Sequence, residues 1–251
     1  MTIPSAYGAF AYAYDKALGE RFFKAAQRVL DDVMRRHPTH ERTHLDLACG
    51  TGLAIAYFAS QGWSSIGVDA SMSMLGAARE RAPRRLVCGD IRALPMRTTF
   101  SRVTCLYDSL NHLKNRADLV AAFRAARSVM RPDSLFLFDM NHPDVYPAIW
   151  GMKDPYVAEG TGWRLEIATL YRKRDATGIA RVSGFATLAG GVKEPIRERH
   201  EQRAYSEREI TDSLAEAGLA AIEVRDFDPY NESDTLAAEG VKLFFVCRAV
   251  S

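Results

Sequence analysis

Short apolar runs alternate with helical stripes along most of the chain. Phe22, Phe23, Ala26, Val29, Leu30 and Val33 recur at helical spacing and predict a helix over about 20–36, ended by His37-Pro38. There follow THLDLACG, a helix over 54–60, SSIGVD, a helix over 71–81, then RLVCGD and VTCLYD. Asn115 and Asp118 open a further helix running to Met130, with Leu119, Ala122, Phe123 and Ala126 on one face, before the strand SLFLFDM. Strands apolar on both faces need helices on both sides of a parallel sheet, so the pattern to about residue 140 predicts a doubly wound α/β fold.

The texture changes over 151–205. WRLEIATLY, a DATG turn, IARVSGFATL, a GG turn and VKEPIRERHEQRAY read as antiparallel strands joined by hairpins. Trp163, Leu165, Ile167 and Tyr171 share one face of the first, whereas RERHEQR is charged on both and predicts a solvated edge strand. Ser206 and Glu209 then form a capping box for a helix ending at Gly218, and AAIEVRDF and KLFFVCRAV supply two more strands. Residues 1–150 and 206–251 therefore make one domain, and 151–205 an antiparallel β insertion packed on it.

The 251 residues, 47% hydrophobic and 25% charged, are ample for such a domain without disulfides. Cys49, Cys88, Cys105 and Cys247 form no CxxC pair and read as buried reduced thiols; no zinc-type spacing occurs, so no metal is expected. A net charge of +2 argues against nucleic acid as an obligatory partner. The absence of a long apolar run or a leader-like start predicts a cytoplasmic protein without membrane contact.

The chemistry concentrates in LDLACGTG, residues 45–52, where Gly50 and Gly52 form the turn after the first strand. Glycine there lets a ligand approach the backbone, and the amides of the next helix point outward. Ile55 replaces the third glycine of a dinucleotide fingerprint, and Asp46 suits an ammonium better than a pyrophosphate. Asp69, ending the second strand, stands where a carboxylate accepts both hydroxyl hydrogens of a ribose. An amino acid joined to a nucleoside fits both ends, and S-adenosylmethionine is such a molecule.

With GVDAS at 67–71 and CGDIRALP at 88–95 in order behind it, this loop resembles that of class I S-adenosylmethionine-dependent methyltransferases. The resemblance implies a seven-stranded Rossmann-like sheet with the last strand antiparallel, and S-adenosylhomocysteine as product. It places the methionine end on Asp46 and the backbone of Ala48, Cys49, Gly50, Thr51 and Gly52. It places the ribose on Asp69 beside Ala70, and the adenine against Met74, Gly89, Asp90 and Ile91.

YDSLNHL, residues 107–113, follows the fourth strand at the ligand-binding edge of the sheet. This loop, the aromatic N-terminal segment and the insertion look most like small-molecule, aminosugar-type N-methyltransferases. The resemblance implies an N-terminal flap with Tyr7 and Tyr14, Tyr107 at the cofactor, and a small acceptor near Asp108, Asn111, His112 and His142. His112 is a candidate base or orienting residue. Ordinary aromatic packing explains the tyrosines equally, and the insertion is a candidate for either a substrate lid or a homodimer contact. The competing functions are a silent cofactor-binding scaffold and an RNA methyltransferase; for the latter, the arginines over 79–85 and 197–203 are interspersed with acids.

Overall fold

The computed structural model describes residues 8–82, 85–229 and 241–250. Tyr7 lies outside them. A helix α1 (Ala9–Tyr14) passes through a π-helical turn, Asp15–Gly19, into α2 (Glu20–Arg36), whose bounds match the stripe of apolar residues. The main domain continues as β1 (Thr43–Leu47), α3 (Leu53–Ser60), β2 (Ser64–Asp69), α4 (Met72–Ala78), β3 (Leu86–Cys88) and β4 (Phe100–Cys105). Next come α5 (Arg116–Ser128), β5 (Met130–Asn141) and the short α6 (Val145–Ala148). The insertion is β6 (Tyr156–Gly160), β7 (Trp163–Arg172), β8 (Thr177–Thr187) and β9 (Lys193–Arg203), after which α7 (Glu207–Glu216), β10 (Leu219–Phe227) and β11 (Lys242–Ala249) close the main domain.

The seven-stranded sheet has the order β10-β11-β5-β4-β1-β2-β3, with β11 antiparallel to both its neighbours. Strand β5 shows why both faces are covered. Leu135 and Leu137 pack toward α2 and α3, while Phe136 and Phe138 pack toward α5 and α7, so alternate residues of one strand serve two separate cores. Phe138 stacks on Phe245 of β11 at 4.7 Å. The strand order reverses between β1 and β4, which opens a crevice at their carboxyl ends.

The four-stranded antiparallel insertion sheet has the order β6-β7-β8-β9. Its inner face, Leu165, Val182, Ala186 and Ile196 with Trp163 and Ile167 beside them, buries the alanines of α1. The insertion therefore packs against the N-terminal helix.

Three expectations are corrected. Strand β6 was not expected, because its five residues are mostly exposed and carry no alternation. Cys88 is exposed rather than buried, since it ends the three-residue strand at the sheet's edge. RERHEQR does lie on an edge strand, yet it is not solvated on both faces: Gln202 is buried, and His200 faces inward against Phe10 and His112. Charge alternation hid this, because the outward arginines and glutamates outnumber the inward residues.

Candidate functional site

At the end of β1, Asp46 is buried, and its carboxylate accepts from the Thr104 hydroxyl at 2.6 Å. Thr104 in turn contacts His44 Nε2 at 2.8 Å, and His44 Nδ1 lies 2.6 Å from the Ser65 hydroxyl. A buried side-chain chain thus runs from β2 across β1 to β4 and ends on Asp46. Burial pushes the Asp46 carboxyl up to about 7 and the His44 imidazole down to about 3.

The loop after β1 turns through positive φ at Ala48, Gly50 and Gly52. At Gly50 (φ +52°) a Cβ would meet no atom within 4 Å, so the outer face of the turn is open backbone. The Gly50 amide donates to Asp69 Oδ2 at 2.8 Å, and the Ser71 amide donates to Oδ1 at 2.7 Å. Each Asp69 oxygen therefore retains acceptor capacity. Burial raises this carboxyl above its ordinary value, and the two amides oppose the rise.

Cys49 and Thr51 lie beneath the turn. Cys49 N bonds to Val68 O at 3.0 Å, while Thr51 donates to Asp15 of the π turn at 2.5 Å. Arg81 joins Asp15 at 2.8 Å and the Thr51 carbonyl at 3.0 Å, fastening the N-terminal helix to the loop. Ala70 is exposed, Met74 packs half-buried toward α1, and Gly89 N bonds to Asp69 O at 3.0 Å. Asp90 is exposed and held by Arg92 at 2.6 Å, which keeps its carboxyl below the usual range; Ile91 packs on the core. The carboxyl ends of adjacent parallel strands thus gather the 46–52, 69–74 and 89–91 segments along one rim.

Beyond β4 the backbone takes positive φ at two successive non-glycine residues, Tyr107 (63°) and Asp108 (48°). Asp139 of β5 straps this turn, accepting the Tyr107 amide at 2.7 Å and the Asp108 amide at 2.9 Å. Lys242 of β11 reaches Asp139 at 3.0 Å and also pairs with Asp108. Tyr107 lies against Phe22 at 4.2 Å and donates to the Gly19 carbonyl at 3.1 Å, so its ring closes the space between α2 and the turn. Tyr14 packs against Phe10 at 5.7 Å on the adjoining helix.

His112 keeps an open surface although protein surrounds it, and desolvation lowers its pKa below 6.5 against the pull of Asp108. Its Nε2 lies 3.3 Å from Gln202 Nε2, and Gln202 also donates to Asp108. Asn111 departs from its expected substrate role: it is fully buried, its Nδ2 donates to Arg203 O at 2.8 Å, and its Oδ1 accepts from Asn141 N at 3.0 Å. It braces β5 against β9. His142, at the end of β5, accepts the Asp144 amide at 3.3 Å, outside the His112 group.

The structure thus brings together Asp46, Gly50 and Asp69 on one side of the crevice, and Tyr107, Asp108 and His112 on the other. Sequence reasoning missed Asp15, Thr104, Asp139, Gln202 and Lys242. A polar residue at the end of the apolar run SLFLFD was a signal for Asp139, whereas Gln202 sat unmarked within a charge run. A cavity of about 290 Å³ between α2 and α3, lined by Pro38, Arg42, Tyr57 and Trp63, lies at the amino ends of the strands, away from this chemistry.

The donor set fits S-adenosylmethionine: an open glycine turn, a ribose-type carboxylate with free acceptor capacity, and a buried acid for a cationic end. Residues 45–133 match the family model described as a methyltransferase domain. A relative from Streptomyces fradiae, named dTDP-3-amino-3,6-dideoxy-alpha-D-glucopyranose N,N-dimethyltransferase, is 33% identical over 51% of this chain and 49% of its own. This chain thus spans about half the length of that relative. Among solved structures, an S-adenosylmethionine-dependent methyltransferase from Clostridium acetobutylicum superposes with TM-score 0.79 at 22% identity, covering 96% of this chain and 98% of that one. An amino pentose methyltransferase from Micromonospora echinaspora, solved with S-adenosylmethionine bound, gives 0.74 at 22% identity, over 97% and 98%. At these identities the structural likeness establishes the fold.

Proposed function

We propose, on the premise that residues 45–133 form a methyltransferase domain, that this chain moves the methyl group of S-adenosylmethionine to an amine of a small acceptor of the aminosugar class. The observation that carries the reading is the Asp69 carboxylate, fixed by the Gly50 and Ser71 amides beside an open glycine turn. The Streptomyces fradiae relative supports the acceptor class through its named substrate.

The sulfonium methyl of the bound cofactor is electrophilic without further activation. The chain's own task is then placement: holding the amine about 3 Å from that carbon, in line, with water excluded. The strapped 107–108 turn stands on one side of the proposed acceptor space, and β9 brings Gln202 and His200 against His112 beside it. Asp108 presents negative charge that suits an amine, and its partners Lys242 and Gln202 keep it in one position.

His112 serves as an orienting residue, because Gln202 and the Glu201 carbonyl both engage its ring. Replacing His112 with Asn is expected to slow transfer about tenfold, with no recovery at higher pH. A loss of about 10²-fold or more that raising the pH restores makes it the base instead. Release of S-adenosylhomocysteine across a panel of aminosugars, simple amines and phenols tests the acceptor class. Turnover of aminosugar amines supports the reading; a chain that binds cofactor and methylates nothing in the panel is the silent scaffold.

A further inference from the structure

We propose that Gln202, supplied by the β insertion, is a positioning residue that holds His112 neutral with its single ring proton on Nδ1. The proposal rests on the transfer-site reading of His112 and adds the residue that sets its state. Gln202 is buried, and every polar position of its carboxamide is used. Oε1 accepts from Tyr146 Oη at 3.0 Å and from Asn141 Nδ2 at 2.9 Å. Nε2 donates to Asp108 and lies 3.3 Å from His112 Nε2.

The orientation of this amide has one consistent solution. Rotating it by half a turn sets Oε1 against the Asp108 carboxylate, placing two acceptors face to face, and sets the NH₂ group against the Asn141 Nδ2 donor. With the NH₂ toward His112, the amide offers hydrogen and no lone pair, so Nε2 of the imidazole accepts. The single ring proton then sits on the other nitrogen, Nδ1, and the Glu201 backbone favours a proton on the ring. A doubly protonated ring would oppose N–H to N–H across the 3.3 Å contact.

The groups facing His112 agree. Lys114 and Asp108 come from its own loop, Glu201 and His200 from β9, and Lys242 from β11. Lys242 and Lys114 oppose the pull of Asp108 on a second ring proton, and burial disfavours the charged ring further. An uncharged imidazole beside a sulfonium donor and an amine acceptor repels neither. The insertion therefore contributes more than a cover: one side chain on β9 fixes both the carboxylate and the imidazole of the transfer loop.

The test is a long-range proton–nitrogen NMR spectrum of the full chain with labelled histidine, the His112 signals being assigned by their loss in His112→Asn. The wild type is expected to show protonated Nδ1 and bare Nε2 near pH 7. In Gln202→Glu the facing carboxylate is expected to put a proton on Nε2 and to raise the His112 titration by about one pH unit or more. In Gln202→Met, with no N–H to donate, the single tautomer is expected to give way to a mixture. An Nε2–H tautomer in the wild type, or unchanged His112 signals in both variants, overturns the proposal; if Gln202→Glu does not fold, the wild-type spectrum and Gln202→Met decide. S-adenosylhomocysteine binding is measured on the same samples, and its absence contradicts the functional reading while leaving the tautomer result standing.

Discussion

Asp46 works against the stability of the fold above about pH 4, which makes it a candidate for the cationic end of a ligand. Its folded pKa of about 7 lies above the usual carboxyl value of 3.8, so the folded chain holds a proton that the unfolded chain releases. Its contribution to stability is present below about pH 4 and is lost as the pH rises to about 7, at up to about 1.4 kcal/mol per unit. A bound cation reverses the preference by favouring the ionised form. Asp46→Asn is therefore expected to raise the melting temperature of the ligand-free chain at pH 8 while weakening S-adenosylhomocysteine binding by at least about tenfold; thermal denaturation and calorimetry check the two directions. Lower stability together with unchanged binding contradicts this role. Asp46, Gly50 and Asp69 were legible in the sequence because one short loop and the next strand end carry them. Gln202 and Lys242 were not, because the contacts that give them meaning reach Asp108 from 94 and 134 positions away in sequence.

Among the elements, α2 was read to its bounds because its apolar stripe is regular, and the order of strands and helices through β5 followed from alternation alone. The π turn Asp15–Gly19 left no periodic trace; it exists where Asp15 must reach Thr51 and Arg81. The insertion was recognised by its hairpin turns, but its contact with α1 was hidden, since alanines at Ala9, Ala11 and Ala13 gave no apolar stripe of ordinary size. Small residues let the insertion sheet approach the helix closely. Leu165, fully buried on that sheet, is expected to cost about 2–5 kcal/mol when replaced by Ala, measured by denaturant unfolding. A change below about 0.5 kcal/mol would show that the insertion does not depend on this packing.

For the whole molecule, the crevice lies where the strand order reverses between β1 and β4, and the insertion packs on the N-terminal helix. No helix among the described residues is long and apolar enough to cross a membrane. The net charge of +2 fits a small acceptor, so turnover is expected to change less than about twofold between 50 and 200 mM salt. A nucleic-acid substrate held by many phosphate contacts would lose affinity by about 10³-fold or more over that range. The central claim, that the β1 and β2 ends form an S-adenosylmethionine site, is tested most directly by calorimetric titration of S-adenosylhomocysteine into the wild type and Asp69→Ala. One equivalent binding to the wild type, with affinity reduced by about 10²-fold or more in the variant, is the predicted result; no binding to the wild type, or equal affinity for both, contradicts it.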